Sequence, residues 1–481
     1  MSERSVIISV LIALLLLGAY LLVDHFRKPV AADPIALMTF DSAAVERIEL
    51  VGSTAIQREE VLGSPRWMVH WTTPAGDKAT WPADESRVRA GLRVLISAPI
   101  VPTDLPIQRS ASLRIVLMDG SSELIHFDQQ PMAGRIVIEK EPDEGRPVRG
   151  YVDAAIFSAF VETGLGAWRS PAALAPFATG PSLIELSSGT GSLTLTRRDA
   201  RWALAEPINV PADADASRSL ALTLAGVEVL AFRDDLTRAD DRTGLDTPLA
   251  TIITETEVRR GDGSLLRQSI VVGGATNLGG KSVFAELAWS LVEGNERARF
   301  LAGPVIAELA TESLNALSTR VEPYVSRRGA TFANNTVERI IIRQNTRSLA
   351  LERSGLGWTT RQAALLPGDA AIVTTLLETL TVTTADQVRL TSALATDSMT
   401  VSLHMGIGPA AATFSIVPLT DPPGILALDG RVARGYATDA NFLSSLSDLL
   451  AREGQNEPGA DPQEPTLDDE GNSDSDLPRG A

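Results

Sequence analysis

The stretch LTLTRRDARWALAEPINVPADADASRSLALTL, Leu193–Leu224, decides how the rest of the chain is read. Leu193 and Leu195 alternate with threonines, the period of a strand buried on one face, and Trp202 follows in a second strand-like run. Pro211-Ala212-Asp213 then ends the strands. The Asp213 carboxylate can accept hydrogen bonds from the first free N–H groups of a helix, and Leu220 with Leu224 share one helical face. Two other parts of the chain follow the same plan.

Val45-Glu46-Arg47-Ile48 recurs as Val337-Glu338-Arg339-Ile340, after lead-ins containing Phe40 and Phe332, with Phe177 in the corresponding place before Leu193. From Ile48, Ile184 and Ile340 the next repeat tryptophans, Trp67, Trp202 and Trp358, lie 19, 18 and 18 residues on. Each tryptophan precedes a Pro-x-Asp step: Pro82-Ala83-Asp84, Pro211-Ala212-Asp213 and Pro367-Gly368-Asp369. All three aspartates are read as helix N-caps. Val88, Leu92 and Leu95, and likewise Val373, Leu377 and Leu380, fall at i, i+4, i+7 on one helical face. The second copy has Ser217 and Ala221 at the first two of these places. Leu349 and Leu351 repeat the alternation of Leu193 and Leu195, whereas the first copy has Arg58 and Glu60 there, which implies an insertion or a different register.

Further strand-like runs follow each unit: 113–117, 124–127 and 135–139 in the first, 251–259, 265–272 and 283–287 in the second, 399–405, 413–418 and 425–428 in the third. Terminal helical segments are expected at 154–161, from about 304 to 317, and at 440–450. The predicted fold class is α+β, in β-rich repeated modules of antiparallel strands and short helices behind one N-terminal transmembrane helix. The predicted organisation is a cytoplasmic stub and anchor (1–32), three repeat units (33–170, 171–325 and 326–452) and an acidic tail (453–481) too poor in apolar residues to fold.

With 481 residues and 44% hydrophobic composition the chain can bury a sizeable core. It has no cysteine, which excludes disulfides and thiolate chemistry. A net charge of −17 argues against binding a nucleic-acid backbone, which needs a basic face. The tail carries nine acids against Arg479 alone, about half of that excess. Val6–Val23 is 18 residues without a charge, enough to cross a bilayer as a helix and so to contact membrane lipid. A cleaved signal peptide ending near Val30-Ala31-Ala32 is the alternative, but the apolar run is long for one and Asp24, His25, Arg27 and Lys28 intervene. The flanking basic residues do not fix the orientation, since long C-terminal domains translocate regardless of them.

Catalytic equipment is sparse. Gly273–Ser282, GGATNLGGKS, resembles a phosphate-binding loop, but Ala275 stands where the first glycine of Gly-x4-Gly-Lys-Ser belongs. The third unit pairs two strands across a comparable turn, so a hairpin is expected there. Met118-Asp119 is read as a hairpin turn, Arg260-Gly261-Asp262 as another, and the paired acids Asp234-Asp235 and Asp240-Asp241 as solvated loop charge with calcium as the alternative. His25, His70, His126 and His404 show no metal-site or triad spacing. No residue is therefore put forward as catalytic, cofactor-binding or metal-ligating. The three repeat tryptophans are read as core anchors, with a ligand groove as the alternative.

Trp202, Glu206-Pro207 and Pro211-Ala212-Asp213, within a thrice-repeated strand-Trp-Pro-x-Asp-helix unit behind an apolar N-terminal segment, resemble the bacterial family called domain of unknown function 4340. The resemblance implies a single-pass protein of the bacterial inner membrane, its large domain periplasmic, associated with ABC-2-type transporter subunits like those of gliding motility. It implies no catalytic residues and no cofactor. The expected function is a non-catalytic accessory or scaffold protein. The alternatives are an envelope enzyme using Gly273–Ser282 for a nucleotide, or a tethered ligand-binding protein.

Overall fold

The computed structural model describes residues 35–456, apart from 51–53, 143–145, 176–179, 259–262, 294–297, 316, 361–364 and 392–397. The apolar run Val6–Val23, Phe177, the Arg260-Gly261-Asp262 triplet and the acidic tail beyond Asn456 lie outside those residues. Among the described residues no helix is long and apolar enough to cross a membrane.

Three antiparallel sheets with a few short helices make an α+β fold, and the same wiring recurs in each. The first strand of the opening hairpin pairs with the first strand of a later meander: Ile48 faces Ile115, Leu186 faces Ile252, and Ile342 faces Val401. A helix follows the hairpin: α1 (Glu85–Ser97), α2 (Ala214–Ala225) or α3 (Pro367–Thr381). The strand after that helix closes the sheet against the last meander strand: Pro99–Pro102 on Val148–Asp153, Val229–Phe232 on Arg299–Ala310, and Gln387–Leu390 on Val432–Ala437. The third unit ends in α4, Phe442–Glu453.

The predicted core faces are found. Leu193, Leu195, Leu349 and Leu351 are buried, as are Val88, Leu92 and Leu95 on α1 and Val373, Leu377 and Leu380 on α3. Removing such a side chain from water contributes about 1.5–3 kcal/mol. In α2 the small pair Ser217 and Ala221 is buried too, and the Ser217 hydroxyl is satisfied by donating to the Asp213 carbonyl at 2.7 Å.

The irregular first copy has a register explanation. Ile48 pairs with Ile56, eight residues on, whereas Ile184 pairs with Leu195 and Ile340 with Leu351, each eleven residues on. The next hairpin makes up the difference, since Trp67 follows Ile56 by eleven residues while Trp358 follows Leu351 by seven. A shortened turn and a lengthened one nearly cancel, so the spacing from isoleucine to tryptophan survives. Arg58, placed by naive spacing where a core leucine should be, instead sits across the ladder from Trp67, its guanidinium 4.9 Å from the ring centre. Arg353 and Trp358 repeat this pair at 4.6 Å.

Two of the three expected N-caps form. Asp84 accepts from Ser86 N and Arg87 N at 3.0 and 3.2 Å, and Asp213 from Asp215 N and Ala216 N at 3.1 and 2.9 Å. Asp369 does not cap α3. Pro367, whose ring presets the helical φ, occupies the first turn, which moves the cap back to Leu366. Asp369 lies inside that turn, where its charge suits the positive helix end, and accepts from Arg452 of α4 at 2.6 Å. Asp84→Ala is therefore expected to cost about 1 kcal/mol in chemical denaturation, the usual loss of a cap. An unchanged midpoint would contradict the capping geometry.

The helix expected from about Pro304 to Leu317 is mostly strand. Arg299–Ala310 pairs along its length, and only Thr311–Asn315 is helical. Val305, Ile306 and Leu309 suit a pleated surface, and Pro304 falls where the ladder slips between Leu287 and Trp289, so its missing N–H is not needed.

By their internal contacts the described residues form two compact units, one containing residues up to 197 and 218–319, the other 198–217 and 320 onward. Within each, a connector ties consecutive repeats together. In the first unit Asp84 N donates to Trp168 O, Ser170 N to Pro82 O, and Ala173 N to Val227 O, at 2.8, 2.8 and 3.0 Å. In the second, Asp213 N donates to Tyr324 O, Ser326 N to Pro211 O, and Ala330 N to Leu380 O, at 2.8, 3.0 and 2.9 Å. Trp168-Arg-Ser and Tyr324-Val-Ser thus do the same work, each using its aromatic carbonyl to receive the amide of the capping aspartate.

Candidate functional site: the Trp202 cleft

Gly273–Ser282 turns between strands Leu265–Ala275 and Ser282–Val292, as the hairpin reading expected. Asn277 shapes the turn by accepting from Gly279 N at 2.9 Å, Gly280 takes a φ of 61°, and the residues after Lys281 continue as strand. A phosphate loop needs a helix N-terminus at that point. Met118-Asp119 is likewise a hairpin turn, in which Asp119 accepts from Ser121 N.

The histidines are dispersed. His70 contacts Thr80 and Glu59, His126 contacts Ser112, and His404 contacts the Gly408 carbonyl. Among the described residues no three His, Asp or Glu side chains cluster as a metal site would require.

The paired acids are not merely solvated. Asp234 holds buried Arg169 at 2.6 Å, Asp235 holds Arg233 at 2.9 Å, and Asp240 holds Arg242 at 2.6 Å while capping the turn Asp241–Thr243. Each arginine is near enough in space or sequence to outcompete water. Hydrogen bonds from the Arg242 side chain and backbone hold the Asp240 carboxyl at about 2. The folded value lies below the ordinary one, so this contact's stabilisation is complete above the ordinary carboxylate range and is lost as pH falls through about 2. Carboxyl NMR should give Asp240 a midpoint near that value; a midpoint near 4, the ordinary aspartate value, would contradict the pairing.

The tryptophans separate clearly. Trp67, Trp71, Trp81, Trp168, Trp289 and Trp358 are buried, with Trp67 and Trp358 at 6% and 5% exposure, as core anchors should be. Trp202 is only half-buried and departs from that role. It lines a cleft of about 840 Å³ within the second compact unit. That volume falls within the range of small-molecule clefts.

One wall comes from strands Arg201–Glu206 and Val210–Pro211, which pair through Ala203 with Pro211 and Leu204 with Val210, so that Trp202 and Pro211 are set by a short hairpin. Trp202 O also receives Ala212 N at 3.0 Å. The opposite wall is the connector and lead-in, Ser326–Asn334, which brings Arg328, Thr331 and Phe332, with the C-terminal end of α3 at Thr381 and Val382 as its floor. Arg353 fixes the rim by donating to Val337 O and Asn334 O at 2.7 and 2.8 Å. Behind Ser326, whose carbonyl accepts from Arg434 at 2.8 Å, lie the buried Arg434 and Tyr436, with half-buried Asp429 3.8 Å from the guanidinium. Burial pushes the Tyr436 phenol up to about 12, so it stays neutral over a wide pH range, and burial also raises the Asp429 carboxyl against the opposing pull of Arg434.

The charge of the cleft is one-signed. Its lining includes Arg201 and Arg328 and no aspartate or glutamate, in a chain of net charge −17. Both arginines are exposed, and neither has an ion-pair partner among the described residues. A second hollow, of about 930 Å³, lies in the first compact unit beside Trp67 and Phe40. There Arg58 is already held by the Ala43 carbonyl and Trp67, and Arg89 by Glu85. Arg93 also lines that hollow, but so do Asp41 and Glu85, whereas the Trp202 cleft carries cations alone.

Sequence reasoning missed this site because it weighed the three tryptophans as equivalent. The second helix has Ser217 and Ala221 where the other copies have valine and leucine, but both are buried outside the cleft lining, so no local signal marked the site.

Residues 202–401 match the family model described as Domain of unknown function (DUF4340). The matched stretch opens on Trp202 itself and takes in every cleft residue except Ala200 and Arg201. Comparison with curated proteins gave no match. The resemblance to DUF4340 thus covers the residues that carried it in the sequence, from the second repeat tryptophan through the first meander strand of the third sheet.

Proposed function

We propose that the chain is a non-catalytic accessory or scaffold subunit of a bacterial envelope assembly, anchored in the inner membrane by Val6–Val23, with its sheets on the periplasmic side beside an ABC-2-type transporter. The observation that carries the non-catalytic part is the make-up of the Trp202 cleft. Its lining offers aromatic faces, the amides of Asn209 and Asn334, hydroxyls and two guanidiniums, but no side chain that would serve as general base near neutral pH. Such a surface recognises and holds. The apolar N-terminal run and the DUF4340 resemblance support the membrane and transporter parts of the reading.

Purification of the full chain from its own membranes in mild detergent, after light crosslinking, tests the reading. Membrane-embedded transporter subunits should co-purify with it, and less of them with Arg201→Glu/Arg328→Glu. A chain that emerges alone would overturn the scaffold role, and the same cleft would then favour a tethered ligand-binding protein.

A further inference from the structure

We propose that the third repeat carries an open docking position, at Leu365-Leu366 beside Trp358, which receives an aromatic-x-serine segment from another protein. The inference goes beyond the scaffold reading, because it stands on the repetition alone, whatever assembly the chain serves.

Three matching sets of main-chain hydrogen bonds define the position. Trp67 O accepts from Ala83 N, Trp202 O from Ala212 N and Trp358 O from Leu365 N, at 2.8, 3.0 and 3.3 Å. The next residue caps the helix in each copy, as Asp84, Asp213 or Leu366, and its carbonyl accepts from the amide of Val88, Ser217 or Ala370. Leu366, not Asp369, is therefore the structural counterpart of Asp84 and Asp213.

In the first two copies these residues hold the connector to the next repeat. The cap amide donates to the carbonyl of Trp168 or Tyr324, and the residue before the cap bridges to the one after the aromatic, Ala83 to Arg169 and Ala212 to Val325. Both rings are buried, at 1% and 7% exposure. Ser170 or Ser326, two places past the aromatic, completes the contact by donating its amide to Pro82 or Pro211.

The third copy lacks such a segment among the described residues. Leu366 N finds no acceptor among them, and the Leu366 side chain is 68% exposed. After α4 the chain does not return there but pairs Gln455–Asn456 with Ser348 and Arg347. An unpaired main-chain edge beside apolar side chains is a template for an added strand, whose backbone gives affinity and whose side chains give selectivity. The two filled positions show what that strand offers: an aromatic residue whose carbonyl meets the cap amide, and a serine two places on. Both connectors of a second copy are already held, so the strand comes from a different protein.

A fluorescein-labelled peptide of residues 321–331 supplies the motif around Tyr324 and Ser326. It should bind the full chain in mild detergent, and hydrogen exchange at the Leu366 amide should slow at least tenfold at saturation. Leu366 already has φ −61° and ψ 149°, values that proline adopts, so Leu366→Pro removes the amide hydrogen with the backbone path kept. That variant should unfold at the parent's denaturant midpoint yet bind the peptide at least tenfold more weakly. The parent should lose as much affinity for a peptide carrying Tyr324→Ala. No binding at millimolar peptide would overturn the proposal, as would equal binding by Leu366→Pro or by the peptide without its aromatic ring. Self-association of the full chain that Leu366→Pro abolishes would also overturn it, by making a second copy the occupant.

Discussion

Trp81→Ala is expected to lower the stability of the first compact unit by about 3–5 kcal/mol, the range for emptying a fully buried aromatic site. Trp81 has no exposed surface and sits next to the end of the strand Lys78–Pro82, the edge of the ten-stranded sheet. Its ring lies 5.3 Å from that of Trp289 and 5.9 Å from that of Phe232, both on strands of the second sheet. Its indole N–H donates to the Ser170 carbonyl in the connector at 3.0 Å, and Trp289 donates to the Ala173 carbonyl at 3.1 Å. One side chain therefore joins two sheets and the segment between them. Alanine would leave a cavity between close-packed aromatics and an unmet carbonyl. Trp81→Phe keeps part of the packing and should cost less than half as much. Guanidinium denaturation followed by tryptophan emission measures both; an alanine variant within 1 kcal/mol of the parent would show that the sheets do not share this core.

The second large effect is expected at the same seam. Arg169 is 2% exposed, stacked 3.9 Å from the Trp71 ring centre and 4.6 Å from that of Phe232, and held by Asp234 at 2.6 Å. Burial pulls the Arg169 pKa down, but an arginine starts so high that it stays charged. Asp234→Ala removes its counter-charge and should cost about 3 kcal/mol, the lower end for breaking a buried pair, because Asp234 itself reaches solvent. Arg169→Met/Asp234→Ala should recover most of that loss, since a methionine of similar reach fills the aromatic slot without a charge to desolvate. A double variant no more stable than Asp234→Ala would mean that the arginine's stacking, rather than its unpaired charge, dominates.

The repeat was legible because its markers are local. Leucine alternation, the Pro-x-Asp step and the i, i+4, i+7 faces each act within a dozen residues, and the structure puts all of them where expected except the Asp369 cap. What was not legible depends on partners far along the chain. Nothing near Arg169 says that it will be buried against Trp71 and Phe232, and nothing near Asp234 says that it answers a charge 65 residues away. The strand at 304–310 was misread because its apolar residues fit a helix face as well as a pleat, and only pairing with Ser282–Val292 decides between them. The cleft lay deeper still, as its two walls come from stretches more than a hundred residues apart and its floor from a third.

The central claim is that one repeat is built three times and that its second tryptophan has been diverted from core to cleft. Thermal or chemical unfolding of Trp358→Ala and Trp202→Ala side by side tests it most directly. The account predicts a loss of about 3–5 kcal/mol for Trp358→Ala, whose ring is sealed in the third core, and about 1 kcal/mol for Trp202→Ala. Equal losses at the two positions would contradict it, because they would put Trp202 back among the core anchors and leave the cleft without its aromatic wall.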